Sequence, residues 1–484
     1  MTALIYLAPI LLVTGLVLAS RMPLLRAGAF GLLATLLAAY YGASDTASYL
    51  AMLPLELAKG VWLAWQGGSI VLFGLFLHLV LSGGNTKPTA GAAMAAAPID
   101  PGKLHRHVFL YCFLAGPCVE SAIGFGIGYA AAIGGLLRLG IPPLSAALLS
   151  IFCQMLVPWG ALAVGTQIGA SLAHVPLVDF GFYSSITSAP LVLVLLPWFW
   201  LLMHRQGIKP APGDLLVEAG YLLGLIGLLI LGNWLGAVEA SGLVACALIL
   251  GVMAWREGLM QAAPIRTVLA YGALALLLLG SRLIPGIAPL LNGIAVLRPF
   301  DSLPTFPLLY HAASILLLLA IADLLLRGET SRLPGLLRQT WQGARMPVAA
   351  MVVFLTIARI YTGTGMADAL AQSWSANTGS AAAYGGPLFA MVMGALTGST
   401  SAVNGLLLPI QSALAQAINA PELWVLGLQN SVAGAMTAIF PGKVAMACAF
   451  AGIPGQERLI LRRYGGYALF TLLCSMGVLA LVLP

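Results

Sequence analysis

Charged side chains are scarce in this sequence. Only 15 Asp and Glu and 22 Lys and Arg occur among 484 residues, while 60% of the chain is hydrophobic. A soluble domain of this length cannot bury so much apolar surface, so the composition excludes a soluble globular protein. The mean hydropathy of +0.99 instead indicates a chain that crosses a membrane many times.

Recognisable catalytic and metal-binding patterns are also lacking. The six cysteines stand in apolar segments without CxxC spacing, so neither a disulfide framework nor a metal site is predicted. We find no HExxH motif, paired aspartates or intramembrane Ser/His pair, and predict no catalytic residue, metal or cofactor. The net charge of +7 does not indicate nucleic-acid binding, because most Lys and Arg lie in short loops between apolar runs.

Apolar runs long enough to span a bilayer as helices are abundant, whereas the alternation of a barrel is absent. The first run, "LIYLAPILLVTGLVLAS" (4–20), has no basic n-region or clear cleavage site and is read as a retained helix. With the basic loops in the cytoplasm, the sequence predicts an all-α polytopic membrane protein with about twelve transmembrane helices and both termini outside. The predicted helices are 2–19, 27–43, 60–82, 143–173, 180–203, 214–232, 234–255, 266–281, 305–326, 347–365, 422–452 and 464–484.

Two further apolar stretches, 104–118 and 384–397, are too short to cross. At 1.5 Å per residue, each reaches roughly 22 Å against a hydrocarbon core of ~30 Å. Each stops at a polar, Gly-rich break and is followed by another apolar segment, which predicts re-entrant hairpins over 104–139 and 384–420. The flanking charges predict that the first hairpin opens to the cytoplasm and the second to the outside.

The two halves of the chain repeat at an offset of about 278 residues, as in Pro143 and Pro421. "VESAIGFGIG" (119–128) then aligns with "TGSTSAVNGL" (397–406). Because the charges send the halves through the membrane in opposite directions, we predict an inverted-topology repeat, typical of secondary transporters. The predicted organisation is an N-terminal helix (1–26), a first repeat (27–204), linking helices (205–304) and a second repeat (305–484).

The hairpin tips carry the candidate site for a small anion. Glycine lets the backbone unwind and leaves free N–H groups at a half-helix N-terminus, which attracts an anion. Close helix packing is the alternative explanation for such glycines. The predicted substrate-binding residues are Gly124, Phe125 and Gly126 in the first tip, and Ser399, Thr400, Ser401 and Asn404 in the second.

Three charged residues inside apolar segments are further candidates. Glu120 is either a proton carrier or a structural acid that caps a broken helix. Arg359 is either a snorkelling arginine or a substrate clamp, because its fork suits a carboxylate. Lys443 follows a Pro-Gly break in an otherwise uncharged helix and is the last candidate for binding substrate.

The stretch "FLAGPCVESAIGFGIGYAAAIGGLLRLGIPPLSAALL" (113–149) resembles the lactate permease family, in which an acid precedes Gly-Phe-Gly and a Pro-rich turn follows. "LTGSTSAVNGLLLPIQ" (396–411) and residues 428–457 resemble the C-terminal signature of that family in order and spacing. The resemblance implies a multi-pass transporter of the bacterial inner membrane, within the wider ion-transporter superfamily. Its substrate would be lactate, glycolate or a similar 2-hydroxy monocarboxylate, taken up together with H⁺.

The chain departs from the family pattern at the predicted site. Thr400 stands where the family usually has an acid, Thr437 where it usually has a lysine, and "CQMLVPWG" (153–160) replaces an Asn-Thr-Ala-Pro-Val stretch. A dicarboxylate or sulfonate substrate and sodium coupling are therefore alternatives. An anion channel ranks lower because the polar residues cluster at the two tips and form no continuous stripe, and a membrane-embedded enzyme ranks lower because no catalytic constellation is found. The oligomeric state is left open.

Overall fold

Apolar helices dominate the computed structural model, which describes residues 2–20, 22–43, 45–84, 103–124, 126–258 and 265–483. Helix accounts for 84% of the described residues. Among the described residues, nine helices are long and apolar enough to cross a membrane, or up to eleven if each of two bent pairs is one span. The prediction of an all-α polytopic membrane protein is confirmed.

The α-helices of the described residues are numbered in chain order. They are α1 Thr2–Ser20, α2 Leu24–Gly42, α3 Thr46–Leu81, α4 Leu104–Phe109, α5 Gly116–Ile123, α6 Ile127–Arg138, α7 Pro143–Ser150, α8 Gly160–Ala173, α9 Leu177–Leu193, α10 Leu195–Arg205, α11 Pro212–Trp234, α12 Val238–Arg256, α13 Ile265–Leu283, α14 Ile287–Gly293, α15 Ala312–Leu326, α16 Leu333–Gly363, α17 Met366–Thr378, α18 Gly385–Thr397, α19 Thr400–Ala417, α20 Glu422–Met436, α21 Pro441–Phe450, α22 Glu457–Arg463 and α23 Gly465–Val482. Two short antiparallel strands, β1 Val296–Leu297 and β2 Phe306–Pro307, lie between α14 and α15.

Each predicted span corresponds to one or two helices, although three predicted starts are wrong. Helix α15 begins at Ala312 and not at 305, because residues 306–307 belong to β2. Helix α3 begins at Thr46 and not at 60, because the Asp45 carboxylate caps it by accepting a hydrogen bond from the Ala47 amide at 3.0 Å. Helix α16 begins at Leu333 and not at 347. Arg338 and Arg345 suggested a loop by charge, but both are exposed positions on this helix.

The number of transmembrane spans stays a prediction. Residues 366–397 are long and apolar enough to be a candidate span that the sequence did not predict, although Gly379 interrupts them with a φ of +58°. Conversely, the apolar part of α1 (Ala3–Leu18) and helix α15 are shorter than a full span.

Two predicted spans are broken helices. The run Pro143–Gln154 meets Val157–Ala173 at a bend of 65°, and Glu422–Ile439 meets Pro441–Phe450 at 45°. Ala161, Leu162 and Ala163 adopt left-handed backbone at the first bend, with φ between 49° and 61°. Such breaks free backbone groups inside the protein, as expected for a polar site within a membrane helix.

Each of the two predicted hairpin regions contains an antiparallel helix pair, and whether these pairs are re-entrant stays a prediction. A Cβ at Gly128 would lie 2.7 Å from the Gly116 carbonyl, so α6 folds back closely on α5. In the second hairpin, a Cβ at Gly386 would lie 2.6 Å from Oε1 of Gln411, which brings α18 against α19. The sides to which the hairpins open stay predictions.

The expected length of the first arm is wrong. Helical structure continues past residue 118 to Ile123, through a π-helical turn at Leu110–Ala115. The arm therefore has about 20 residues and reaches roughly 30 Å at 1.5 Å per residue. Within the first hairpin, only the returning helix α6, with 12 residues, is too short to cross the hydrocarbon core.

Candidate functional site

The first hairpin tip is held together by Glu120. Its Oε1 accepts a hydrogen bond from the Gly126 amide at 3.1 Å, and its Oε2 accepts one from the Gly128 amide at 3.0 Å. The Gly124 amide donates to the Glu120 carbonyl at 2.7 Å. Glu120 thus has the geometry of the predicted cap, and the amides of Gly124 and Gly126 are already paired. Their substrate role stays a prediction, and Phe125 lies outside the described residues.

The second tip begins with a left-handed glycine. Gly398 has a φ of +63°, and Ser399 Oγ then caps α19 by accepting from the Ala402 amide at 3.3 Å. The hydroxyl oxygen of Thr400 is buried and has no hydrogen-bond partner among the described residues. Because a buried hydroxyl without a partner is unfavourable, Thr400 is the most direct candidate for a ligand contact in this tip.

Asn404 links the second tip to α8. Its Nδ2 donates to the Gly165 carbonyl and to Oδ1 of Asn430, both at 2.9 Å. Asn430 in turn donates to Thr166 and Ser184 at 3.0 Å each. The Gly165 carbonyl can only accept, which sets the orientation of the Asn404 amide. Its buried Oδ1 remains without a partner among the described residues, so this side chain offers an acceptor and not the donor that the sequence suggested.

Both tips lie against the start of α8. A Cβ at Gly124 would lie 2.8 Å from Cβ of Ala161, and a Cβ at Gly165 would lie 2.8 Å from Cβ of Thr400. Ser401, which is buried, is also near, with its amide nitrogen 3.4 Å from that same position at Gly165. We call the meeting of the two tips (120–128 and 397–404) with the two breaks (151–165 and 437–446) the crossing.

The break after α20 completes the crossing. Tyr129 in the first hairpin donates its hydroxyl to the Ala438 carbonyl at 3.2 Å, and a Cβ at Gly398 would lie 2.3 Å from the Phe440 ring. The same break therefore touches both hairpins. Elements that are far apart in the sequence thus converge at one place, as expected where broken helices form a transport site.

Lys443 places a buried ammonium group in the crossing. Its Nζ donates to Oε1 of Gln154 at 2.8 Å and to Oγ1 of Thr437 at 3.2 Å, and the residue is only 7% exposed. Among the described residues, no carboxylate oxygen lies within 4 Å of this group. The ammonium thus reaches the position, Thr437, at which the family resemblance implies a lysine. Sequence reasoning did not find Gln154, because a glutamine in an apolar run has many explanations.

Glu120 is the carboxylate that lies close enough to Lys443 for a Coulombic interaction. The pair is not a salt bridge, since the Glu120 oxygens are directed to the tip amides. The crossing therefore holds one positive and one negative charge, separated but mutually attractive in a medium of low dielectric constant.

Arg359 lies in a different environment. Its Nη2 and Nε contact Oε2 of Glu56 at 2.7 and 2.9 Å, and Lys59 contacts the other oxygen at 2.7 Å. This buried group joins α16 to α3, which pack closely because a Cβ at Gly60 would lie 2.7 Å from Cα of Thr356. Sequence reasoning missed Glu56 because it fell outside the predicted helix 60–82. A buried arginine requires an acidic partner, and that was the available signal.

Comparison with known proteins gives a family match and one related structure. The family model described as L-lactate permease matches residues 232–484, which is more than half of the chain and contains the second hairpin and the second break. No curated protein sequence matches the chain. A solved structure of MtrF from Neisseria gonorrhoeae, reported as illuminating a class of antimetabolite efflux pumps, is similar over 94% of each chain, with 12% identity and a TM-score of 0.48.

Proposed function

Since the chain belongs to the L-lactate permease family, we propose that it takes up lactate, glycolate or a similar 2-hydroxy monocarboxylate together with H⁺. The substrate anion binds at the crossing, where it pairs with the Lys443 ammonium and the Thr400 hydroxyl. The protein acts as a secondary transporter in the inner membrane of a bacterium. The single observation that carries this proposal is the buried Lys443 ammonium with only neutral oxygens as hydrogen-bond partners.

The reason is the desolvation of Lys443. A buried ammonium loses its hydration, and two neutral oxygens replace only part of that stabilisation. A carboxylate placed beside it forms a charge-assisted hydrogen bond, worth more than a neutral one. An anionic substrate therefore gains more from this site than a neutral compound of the same shape.

The charges of Glu120 and Lys443 support coupling to H⁺. Without substrate, Glu120 and Lys443 together are neutral. A monocarboxylate leaves the crossing with one excess negative charge, which protonation of Glu120 removes. Substrate and proton therefore favour each other's binding, and this coupling is reciprocal. It also helps uptake against the membrane potential, which opposes entry of an anion by about 2.3 kcal/mol per charge per 100 mV.

Glu120 also connects protonation to structure. The ionised carboxylate accepts one hydrogen bond from each of two amides at the start of α6. Protonation turns one oxygen into a hydroxyl, which cannot accept as well from the amide that faces it. The first tip is then held less firmly. Protonation thereby favours movement of the tip that a transport cycle requires.

The architecture of this proposal is an inverted repeat with two re-entrant hairpins, divided at residues 26, 204 and 304 as the sequence predicts. The antiparallel arms and the paired bent helices support it. The hairpins then open to opposite sides, and the crossing lies near the middle of the bilayer, where alternating access can expose it to either side.

Purified protein in liposomes tests the function. An inward pH gradient, acid outside, should drive accumulation of radiolabelled L-lactate, with saturable counterflow. Inhibition by glycolate should exceed inhibition by a dicarboxylate or a sulfonate. Uptake that needs sodium at constant pH would refute proton coupling, preferential inhibition by a dicarboxylate or sulfonate would refute the substrate class, and conductance without counterflow would refute a carrier.

A further inference from the structure

A cavity of about 480 Å³ lies beside the crossing, between α3, α8 and the segment that contains β1 and β2, which covers it. Pro304 belongs to this covering segment. Its carbonyl accepts hydrogen bonds from Trp62 at 3.0 Å and from Gln66 at 2.5 Å, which fastens the cover to α3. The volume is that of a typical small-molecule site and leaves room for water around a small ligand.

The walls of this cavity carry no uncompensated negative charge. Glu239 is the one acid among the lining residues, and Arg282 binds both of its oxygens, at 3.0 and 3.3 Å. The remaining polar lining consists of amide, hydroxyl and imidazole groups, including Ser171 and His174. His174 is also within Coulombic reach of the Arg359 guanidinium. Ser171 donates its hydroxyl to the Gln167 carbonyl at 3.0 Å, so the donors left to a ligand are chiefly the imidazole groups of His174 and His311. With these donors and no free carboxylate, the walls favour an anion over a cation.

The cavity is separated from the crossing by a single helix. Val164 and Gln167 of α8 line the cavity, while Gly165 between them contacts the second tip. Gln167 also donates to the carbonyl of Leu162 at 2.7 Å, within the left-handed start of α8. A ligand that contacts Gln167 therefore adjoins the backbone that both tips touch.

The position of the cavity indicates the side to which it opens. Glu239 and His311 lie at the starts of α12 and α15, whereas Arg256 and Arg327 lie at the opposite ends of these helices. Basic helix ends belong to the cytoplasmic side by the positive-inside rule. The cavity thus lies toward the opposite, non-cytoplasmic side.

We propose that this cavity is an entry site, distinct from the crossing, in which a small carboxylate anion binds before it reaches Lys443. The identity of the anion rests on the proposed function, whereas the preference for negative charge rests on the cavity alone. Binding here is weaker than at the crossing, because the cavity holds no buried ammonium, and its role is to concentrate anions beside α8.

Cysteine labelling tests this site. Ser171→Cys, in a chain whose six native cysteines are replaced by Ala or Ser, is treated with membrane-impermeant anionic and cationic methanethiosulfonates in right-side-out vesicles. After correction for the reactivity of each reagent with a free thiol, the anionic reagent should react at least tenfold faster. L-Lactate should slow this reaction several-fold. The matched control is Leu235→Cys, an exposed position in the turn after α11, where neither effect is expected.

If the chain without native cysteines does not fold, the same ratio is measured as the change that Ser171→Cys adds to the wild-type background. Equal rates of the two reagents at Ser171→Cys, or labelling only from the cytoplasmic side, would overturn the entry site. Charge preference without protection by lactate, in vesicles that do accumulate lactate, would refute carboxylate binding there. If wild-type vesicles accumulate no small carboxylate, the proposed function fails, whereas the charge preference still tests the cavity.

Discussion

Lys443 donates a hydrogen bond to Gln154 across the crossing, with 2.8 Å between Nζ and Oε1. The two residues lie 289 positions apart, one in each break, and both are buried. One side-chain contact thus joins the broken helices of the two halves. Because Gln154 is neutral, the contact orients the ammonium without neutralising it, which leaves the charge available to an anion.

Lys443→Met should weaken substrate binding without unfolding the protein. Loss of a charge-assisted hydrogen bond of about 1.5–3 kcal/mol lowers affinity by roughly ten- to hundredfold. Thermal stability should fall moderately, because the gain from replacing a desolvated charge by an apolar chain is offset by the unpaired Gln154 oxygen and the uncompensated Glu120 charge. Binding of L-lactate to purified protein and its melting temperature are the measurements. Lys209→Met, in an exposed loop, is the control, and unchanged affinity in Lys443→Met would refute the proposed anion site.

Glu120→Gln should abolish proton-driven accumulation and retain some exchange of substrate for substrate. Glutamine cannot carry the proton, although its carbonyl still accepts from one of the two tip amides. The loss of the other hydrogen bond should destabilise the protein by about 1–3 kcal/mol. Accumulation under a pH gradient and counterflow are compared in the same liposomes. Normal proton-driven accumulation in this variant would show that Glu120 is only a cap.

Thr400→Val should weaken substrate binding with little change in stability. Its hydroxyl has no partner among the described residues, so folding loses no hydrogen bond when the oxygen is removed. Ser399→Ala is the matched comparison, because that hydroxyl caps α19 and its removal should cost about 1 kcal/mol. Affinity and melting temperature are measured for both variants. A loss of stability in Thr400→Val as large as in Ser399→Ala would argue against a ligand role.

Arg359→Met and Glu56→Gln should each destabilise the protein strongly. Removing one partner of a buried ion pair leaves the other uncompensated, at about 3–5 kcal/mol. The double variant should recover part of that loss, which a thermal-unfolding double-mutant cycle measures. In Glu56→Gln the amide oxygen can still accept from Lys59, but the charge attraction of that contact is lost. The earlier alternative, in which Arg359 clamps the substrate, instead predicts that Arg359→Lys lowers lactate affinity while stability is unchanged.

The opposite orientation of the hairpins is tested by labelling from each side. Arg138→Cys lies at the end of α6 and should react only from the cytoplasm. Ala376→Cys, on α17 just before the second hairpin, should react only from outside. Ala383 is less suitable because it is fully buried. Labelling of both positions from one face would exclude an inverted repeat of these hairpins.

The helices were largely predictable, whereas their ends were not. Apolar runs identify the transmembrane spans, because a helix that crosses the hydrocarbon core requires about 20 apolar residues. Charge marks loops less well, since Arg338 and Arg345 sit on a helix that continues beyond its apolar part. The additional helix α17 was missed because "MADALAQSWSANT" by itself is too polar for a hydropathy search, whereas the apolar part of the candidate span 366–397 is mainly α18.

The candidate site was predictable only in part. The tips could be located, because glycines and helix-capping hydroxyls interrupt the apolar runs there. Their contacts could not. The amide of Gly126 is taken by Glu120, and the amide of Asn404 by Gly165. Hydrogen-bond partners within a protein depend on which groups come close, and a linear pattern does not contain that information.

The sequence by itself determined that this is a membrane protein, its helical class and the positions of the two hairpin tips. These depend on composition and local backbone preference, which act over a few residues. Only the tertiary structure decided which charge faces which. It paired Arg359 with Glu56, and it brought Lys443 to Gln154 and near Glu120. The physical reason is that a buried charge is stabilised by whatever lies within a few ångströms, and those neighbours come from distant parts of the chain.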